Sequence, residues 1–385
     1  MRRLACAILV SAALGARSVA WPAAPESLEA ALRAAAEAIA AEYGLPGMTV
    51  AIADPAGRRA EVAVGLADVE TGRPMTTDTP MLAASIGKTF VAATVIALAE
   101  EGRLGLDDLL SRWLGEEPWF GRLPNSDTIT LRQLLAHRSG LPDHVYDPAF
   151  AAAWQAGERR LSPRELIALV LDREPLFPAG EGFAYSDTGY LLLGLVIEQI
   201  SGAPWEDEVR RRFLQPLDLA HTGPSNTRHI PGLANGYVNQ PNMLGLPPET
   251  LDEEGALRWD PGVESSGGGF YSTSSDLATW GAALFSGQVL GETATSAMLR
   301  GGAASDADPA SRYGLGVAII DTSAYGASYG HRGWIPGYTA SLGYFPAHGT
   351  AIAFMLNTDA GVIDMERPVI REIEDRLAAV AFGAP

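Results

Sequence analysis

The chain has 385 residues, of which 47% are hydrophobic and 19% are charged, a composition typical of a folded protein and not of a disordered one. Its formal net charge is −18 at neutral pH, which argues against nucleic acid and anionic membrane surfaces as partners. This length is enough for one large domain or two ordinary ones.

The first 20 residues have the pattern of a cleavable signal peptide. Two arginines precede an apolar run from residue 4 to 14, and Ser18-Val19-Ala20 is a small-x-small cleavage site. The run is too short to span a bilayer as a helix. We therefore expect no membrane span and a periplasmic or secreted mature chain from residue 21. Loss of three arginines with the signal takes the net charge from −18 to about −21.

Cys6 is the one cysteine of the chain, and it lies inside the predicted signal. The mature protein is then expected to contain no disulfide and no thiol chemistry. Because Cys6 stands at the start of the apolar run and not after it, we do not expect it to carry a lipid anchor.

A helix and a hairpin are the first predicted elements of the mature chain. Residues 27–43 combine helical spacing with strong helix formers, and Gly44-Leu45-Pro46-Gly47 follows as a break. Two short apolar or alternating segments, 48–53 and 59–64, then flank Asp54-Pro55-Ala56-Gly57. This pattern predicts a β-hairpin.

The next predicted helix has no polar face. Residues 90–99 are nearly all apolar or small, so the helix is expected to be buried, and Gly102 is placed to end it in a left-handed cap. Ser85 falls in its first turn, and Lys88 lies three residues further along the same face. A serine nucleophile activated by a lysine requires this pair of groups in such a place.

Ser-x-x-Lys is a weak motif when it stands alone. Ser85 could simply cap the helix, with Lys88 extending to solvent. Gly87-Lys88-Thr89 also resembles the end of a phosphate-binding loop, but that motif requires a glycine five positions before Gly87, where this chain has Leu82. We therefore reject the phosphate-binding loop and look for supporting motifs.

The middle of the chain is predicted to be helical. Segments with helical patterns alternate there with loops rich in proline and glycine: 106–113, 131–136, 162–171 and 188–201. Strand patterns return in the last third at 315–320, 339–344 and 351–356, between a helix that starts after Thr273 and a closing helix at 365–380. The order predicts one bilobed domain, with an α/β lobe (21–101 and 265–385) split around an all-α lobe (102–264).

Three further motifs support the Ser-x-x-Lys pair. They are Tyr185-Ser186-Asp187 before a predicted helix, His331-Arg332-Gly333 at the start of a predicted strand, and His137-Arg138-Ser139-Gly140 in a predicted turn. With Ser85-Ile86-Gly87-Lys88 they resemble the serine β-lactamase and penicillin-binding superfamily. The likeness is to the branch of class C β-lactamases, D-alanyl-D-alanine carboxypeptidases and related esterases. The motifs occur in the family's order across essentially the whole mature chain.

The resemblance implies an α+β fold of the β-lactamase/transpeptidase type: a five-stranded antiparallel sheet flanked by helices, plus an all-α lobe. It places the active site between the lobes. Ser85 would attack a carbonyl and form an acyl-enzyme. Lys88 would have a lowered pKa and take the serine proton, and Tyr185 would pass the proton to the leaving group.

The resemblance also assigns roles to the predicted strand. His331 would support the tyrosine, and Gly333 would let the substrate approach the strand. The backbone amides of Ser85 and Trp334 would form the oxyanion hole, in which each donor is typically worth about 2.7–4 kcal/mol.

Two residues depart from the family pattern. Asp187 stands where the family usually has asparagine, and a carboxylate there would favour the charged form of Lys88. Trp334 stands where peptidases and β-lactamases often have a hydroxyl that helps bind the substrate's carboxylate. Arg332 is the candidate for binding a carboxylate instead.

The sequence thus predicts a secreted serine hydrolase that forms an acyl-enzyme with an ester, amide, D-alanyl peptide or β-lactam. The expected partner is a small-molecule or peptide substrate, without a metal or an organic cofactor; His221 and His229 show no grouping of metal ligands. The alternative is a non-hydrolytic penicillin-recognising or peptidoglycan-binding protein, in which Asp187 marks lost catalysis. The sequence makes no prediction of the oligomeric state.

Overall fold

A computed structural model describes residues 27–156, 160–242, 244–305, 308–321, 323–361 and 368–383. The predicted signal peptide, Cys6 and the predicted start of the closing helix at residue 365 lie outside these residues. In the part of the chain that the structure describes, no helix is long and apolar enough to cross a membrane.

The strands are, in chain order, β1 (Gly47–Ala53), β2 (Arg59–Asp68), β3 (Arg73–Pro74), β4 (Met81–Leu82), β5 (Gly223–Pro224), β6 (Phe270–Ser272), β7 (Ala303–Ser305), β8 (Asp308–Tyr313), β9 (Ala318–Ile320), β10 (Ser328–Ile335), β11 (Tyr338–Phe345) and β12 (Thr350–Leu356). The helices are α1 (Leu28–Tyr43), α2 (Gly87–Glu100), α3 (Ser111–Leu114), α4 (Leu131–Leu135), α5 (Pro148–Ala156), α6 (Pro163–Ala168), α7 (Asp187–Ser201), α8 (Trp205–Val209), α9 (Ser274–Phe285), α10 (Glu292–Leu299) and α11 (Val369–Phe382).

The main sheet is antiparallel and has the order β3-β2-β1-β12-β11-β10-β9-β8-β7. The predicted α+β class is confirmed, but the predicted number of five strands is wrong because the described sheet has nine. The added strands lie at its two edges. β3 is only two residues long, and β8 has the sequence DPASRY, which lacks apolar alternation. Neither carries the period-2 signal by which a strand is recognised in a sequence.

Helices cover both faces of this sheet. On one face α1 and α11 bury the side chains of Leu32, Ile39 and Ile373 against Val50 and Phe354 of the sheet. On the other face α9 packs on β1, β11 and β12, and the hydroxyls of Thr49 and Ser274 lie 2.6 Å apart. The residues that alternate along the central strands are therefore buried on both sides.

The predicted apolar helix is α2, and it is buried as its composition requires. Phe90 is fully buried between the rings of Phe270 and Trp280, with centroids at 5.1 Å and 4.2 Å. The indole of Trp280 donates a hydrogen bond of 2.8 Å to the Thr89 hydroxyl. A fully buried side chain of this size contributes roughly 1.5–3 kcal/mol. Gly102 takes the predicted left-handed conformation just past the end of α2.

Capping residues identified in the sequence fix several helix boundaries. Ser27 accepts a hydrogen bond from the first turn of α1, and Gly44 ends that helix in a left-handed conformation. Ser162 and Glu165 form the predicted capping box of α6. The predicted helix at 106–113 is wrong in length, since only α3 is helical there. Asp108 instead accepts a hydrogen bond from the Gly105 amide and holds the preceding segment in a turn.

Candidate active site

Ser85 lies in a single 3₁₀ turn, Ala84–Ile86, which joins β4 to the first residue of α2. Ala84 has a φ of 48°, a left-handed conformation that is unfavourable for a residue with a Cβ atom. Such strain is retained where the surrounding structure enforces it, and it is concentrated at functional sites. The turn thus presents the Ser85 side chain at the start of a rigid, buried helix.

Strand β10 passes directly against this turn. A Cβ atom at Gly333 would lie 2.1 Å from the carbonyl oxygen of Ala83, so any side chain there would push the strand and the turn apart. β9 pairs with β10 only at Ser328–Gly330. From His331 onward, the edge of β10 that faces away from β11 pairs with no described strand. Gly333 is therefore needed for the close approach of an open strand edge to the nucleophile.

The structure brings four of the predicted site residues together: Ser85, Lys88, Tyr185 and Asp187. Lys88 Nζ donates a hydrogen bond of 3.1 Å to Ser85 Oγ, and it also donates to the Asp187 carboxylate and to the backbone carbonyl of Gly267. The ammonium lies 4.8 Å from the centroid of the Tyr185 ring. The α2 turn and the start of α7 thus bring a hydroxyl, an amine, a phenol and a carboxylate into contact.

The predicted lowering of the Lys88 pKa is wrong for this site. Lys88 is fully buried, and burial by itself lowers its pKa. The negative charge of Asp187, with a smaller contribution from Tyr185, outweighs burial and raises the pKa above its usual value. The Lys88 side chain is therefore a charged ammonium at neutral pH, and the base is released only as the pH rises.

Tyr185 is a neutral phenol at neutral pH. Burial of its hydroxyl and the charge of Asp187 outweigh the favourable charge of Lys88, and together they raise the pKa of Tyr185 to about 12. The residue as a whole is 36% exposed, and its ring lies against that of His137, tilted by 32° at a centroid distance of 4.1 Å. The phenol can hence donate a proton but does not start as a base.

His331 acts through a second tyrosine. Its Nδ1 lies 2.6 Å from the backbone carbonyl oxygen of Arg332, so Nδ1 must carry the ring proton and donate it. In the neutral ring Nε2 is then an acceptor, and it accepts the hydrogen bond of 2.8 Å from the Tyr313 hydroxyl. Burial and the charge of Lys88 lower the pKa of His331 to about 4. The neutral imidazole anchors Tyr313, whose ring meets Tyr185 edge-on at 6.1 Å.

Arg332 and Trp334 project from the opposite face of β10, as the two-residue period of a strand requires. The Arg332 guanidinium forms two hydrogen bonds to the Glu374 carboxylate of α11, at 2.8 Å and 2.6 Å. The predicted role of Arg332 as the binder of a substrate carboxylate is therefore not supported. The Trp334 indole donates a hydrogen bond of 3.0 Å to Asp359. The oxyanion hole from the Ser85 and Trp334 amides stays a prediction.

A cavity of about 440 Å³ opens in front of Ser85. Its wall includes the acidic residues Asp143, Asp187 and Glu264 and the basic residue Arg332, and its other side chains are largely apolar or aromatic. Among the residues that the structure describes, no group of three or more His, Cys, Asp or Glu side chains is arranged to hold a metal ion.

Similarity to known proteins agrees with this geometry. The model of the family described as Beta-lactamase matches residues 32–374, which is most of the chain. The chain belongs to the beta-lactamase family. Penicillin-binding protein 4* of Bacillus subtilis (strain 168) is 29% identical over 83% of this chain and 69% of that protein. The esterase EstB of Burkholderia gladioli is 27% identical over 84% of this chain and 87% of the esterase.

A solved structure shows that the likeness extends through the fold. The crystal structure of a D-stereospecific amidohydrolase from Streptomyces sp. superimposes with a TM-score of 0.76 and 29% identity, covering 92% of this chain and 98% of the amidohydrolase. As a beta-lactamase family member with a paired serine and lysine, the chain is a serine hydrolase.

Several residues of this beta-lactamase family site were missed by sequence reasoning. Tyr313 and Tyr190 complete an aromatic cluster around His137, and Asp143 and Glu264 line the cavity. Tyr313 lies in a strand that the sequence did not reveal, and Glu264 lies in a loop-rich stretch without periodicity. The His137 motif was noted, but its contact with Tyr185 depends on the fold and has no signal in local sequence.

Replacing Asp187 by asparagine is expected to move the rising limb of the kcat/KM profile against pH to lower pH. Removing the anion removes the interaction that keeps Lys88 protonated, and a neighbouring opposite charge commonly shifts a pKa by about one to three units. The profile is to be measured with a neutral aryl ester. Asp127→Asn, at an exposed turn, is the matched control. An unchanged or raised limb in Asp187→Asn would contradict the assignment of Asp187.

Proposed function

We propose that this hydrolase acts on small esters or amides without a free carboxylate, through an acyl-enzyme at Ser85. The observation that carries this proposal is the contact of 3.1 Å between Ser85 Oγ and Lys88 Nζ at a cavity that the Tyr185 phenol also lines. These are the parts that covalent catalysis by a serine requires: a nucleophile, a base and a proton donor for the leaving group.

The chemistry follows from the charges of the site. When Lys88 has lost its proton, it accepts the proton of Ser85 while Oγ forms a bond to the substrate carbonyl carbon. Tyr185 donates its proton to the departing alcohol or amine and regains one from Lys88. Water then hydrolyses the acyl-enzyme and restores Ser85. Because Asp187 holds Lys88 in its charged form, we expect the reaction to speed up toward alkaline pH.

The charges around the cavity disfavour an anionic substrate. Three carboxyl groups line the wall, and the positive charge of Lys88 is paired with one of them, Asp187. The Arg332 guanidinium is engaged by Glu374, and the Trp334 indole offers no hydroxyl. A substrate carboxylate would thus meet Lys88 and Arg332 already paired with other carboxylates, and it would be repelled by the charged fraction of Asp143, whose pKa burial raises to about 7.

The relatives are consistent with ester or amide hydrolysis. EstB is named an esterase, and the Streptomyces protein is named a D-stereospecific amidohydrolase. Both kinds of substrate pass through the same acyl-enzyme, and the choice between them depends on the residues around the catalytic group.

A direct comparison of substrates tests the proposal. We expect kcat/KM for a short-chain aryl ester to exceed that for nitrocefin and for a D-Ala-D-Ala peptide by at least about tenfold, the factor that one charged hydrogen bond commonly supplies. If either carboxylate-bearing substrate surpasses the ester by this factor, the proposed preference is wrong.

The second candidate is a protein that recognises penicillin without turning it over. The relationship to a penicillin-binding protein favours it, as does the unusual carboxylate at Asp187. A fluorescent penicillin would then form a stable adduct with the purified protein, while aryl esters would not be hydrolysed. A fluorophosphonate applied in parallel reports whether Ser85 is reactive in either case.

We further propose that the enzyme is exported and loses residues 1–20. The basic, apolar and small-residue pattern of this segment supports the proposal. Expression of the full chain with its native N-terminus should give a periplasmic or extracellular product whose first residue is Trp21. Retention of Met1 on an active cytoplasmic product would contradict it.

A further inference from the structure

The cavity in front of Ser85 contains more acidic groups than its catalytic residues require. Lys88 forms its ion pair with Asp187, and Arg332, which also lines the cavity, forms its ion pair with Glu374. Among the side chains of the described cavity, Asp143 and Glu264 therefore have no cation in salt-bridge contact. The charge of Lys88 lowers the pKa of both acids but does not offset the effect of burial, and the two nearby imidazoles add no positive charge. Burial lowers the pKa of both His144 and His331 to about 4, so both imidazoles are neutral.

Glu264 is the less satisfied of the two acids. It follows the 3₁₀ turn Pro261–Val263, and its side chain reaches the cavity wall. One of its oxygens, Oε2, has no contact with solvent and no hydrogen-bond partner. Burial, and then the charge of Asp187, raise the pKa of Glu264 to about 8. A buried carboxyl oxygen without a partner is costly, and such an atom in a native protein calls for an explanation, of which a ligand is one.

Asp143 reaches the same cavity from the turn before α5. Only 5% of its side chain is exposed, and its oxygens face backbone N–H groups and the neutral ring of His144 at 3.5 Å. Burial, and then the charge of Asp187, raise the pKa of Asp143 to about 7. Both carboxyl groups would therefore be stabilised in their charged forms by a cation inside the cavity.

The remaining wall is suited to an apolar group beside that cation. Phe150 and Trp154 pack edge to face at 5.2 Å, and Val263 and Leu244 extend the apolar surface. Tyr146, which is 77% exposed, lies at the same cavity. Aromatic faces also attract ammonium groups directly.

We infer that Glu264 and Asp143 form an ammonium subsite, which binds the protonated amine of an amine-bearing ester or amide beside an apolar or aromatic side chain. An alkylammonium has three N–H donors and no acceptor, which matches two acceptor-only carboxylates. This inference rests on the proposed hydrolysis at Ser85, because it names the substrate class of that same cavity. Glu264 and Asp143 bind the substrate and take no part in proton transfer to the acyl group.

Binding is tested with two probes of nearly the same shape, 2-phenylethylamine and 2-phenylethanol, by titration calorimetry at pH 7. We expect the amine to bind at least about tenfold more tightly than the alcohol, and to protect Ser85 from labelling by a fluorophosphonate. In Glu264→Gln the preference should fall to less than about threefold. Glu253→Gln, at an exposed position outside the cavity, removes the same charge and should leave the preference unchanged.

Turnover is tested with phenylalanine 4-nitroanilide and its analogue that lacks the amine. In the wild type, kcat/KM should be higher for the substrate with the amine than for the analogue without it. This ratio should fall in Glu264→Gln and in Asp143→Asn, and the second variant keeps the test available if the first does not fold. Equal binding of the two probes by the wild type, or an undiminished ratio in both variants, would overturn the subsite. Failure of the proposed function is separate: Ser85 would resist the fluorophosphonate and no ester would be hydrolysed, whatever the binding result.

Discussion

Replacement of Ser85 by alanine is expected to lower kcat/KM for a neutral aryl ester by about 10⁴-fold or more, which is the size of loss seen when a nucleophile is removed from a catalytic unit. Ser85 Oγ accepts a hydrogen bond from Lys88 just before the start of α2. We expect no other group of the described site to replace it as the nucleophile. Residual activity would reflect only binding and the electrostatics of the cavity.

The loss is expected to be catalytic and not structural. Ser85 Oγ makes its hydrogen bond to Lys88, and the 3₁₀ turn itself is held by backbone bonds and by the packing of β10. The melting temperature of Ser85→Ala should hence remain close to that of the wild type. Ser286→Ala, at an exposed serine after α9, should keep full activity. Retention of more than about one hundredth of the wild-type rate by Ser85→Ala would place the nucleophile elsewhere.

Replacement of Lys88 by methionine is the second large effect. Methionine has a similar length and suits the fully buried position, but its thioether can neither accept nor donate a proton in this reaction. We expect the rate of acylation of Ser85 by an activated ester to fall by about 10²–10⁴-fold, the range for a positioned acid–base group. Stopped-flow measurement of the first turnover separates this step from deacylation.

The double variant provides the sharper test of Lys88. If Lys88 serves Ser85, the variant with both Ser85→Ala and Lys88→Met should be no slower than Ser85→Ala alone, because residues that act as a unit do not contribute additively. Two losses that multiply would show that Lys88 acts independently. Lys88→Met is also expected to lower stability, because the partly buried Asp187 carboxylate loses its cation.

The part of the site that sequence predicted is the part with local signals. The α2 segment lacks a polar face, so its burial followed from composition alone, and a buried Lys88 beside Ser85 followed from spacing. Tyr185 and His331 were found because each sits in a short motif. Their place in one site came from the family resemblance, which supplies the knowledge of which distant residues come together.

The errors arose where distant residues determine the outcome. The family resemblance implied a lowered Lys88 pKa, but the Asp187 carboxylate, 99 residues further along the chain, accepts a hydrogen bond from Lys88 and raises its pKa, the direction that the departure from asparagine indicated. Arg332 is engaged by Glu374 on α11, 42 residues away, and this pairing cannot be read from the His-Arg-Gly motif. The edge strands β7 and β8 escaped notice because β7 has only three residues and β8 is largely polar, and their pairing is decided by the sheet beside them.

Labelling of the wild-type protein with a fluorophosphonate, followed by peptide mass spectrometry, tests the central role of Ser85 most directly. We predict a single adduct on the peptide that contains Ser85, formed faster as the pH rises, absent from Ser85→Ala and present at the wild-type rate in Ser286→Ala. An adduct on a different residue, or labelling of Ser85→Ala at the wild-type rate, would contradict the assignment of the nucleophile and with it the acyl-enzyme.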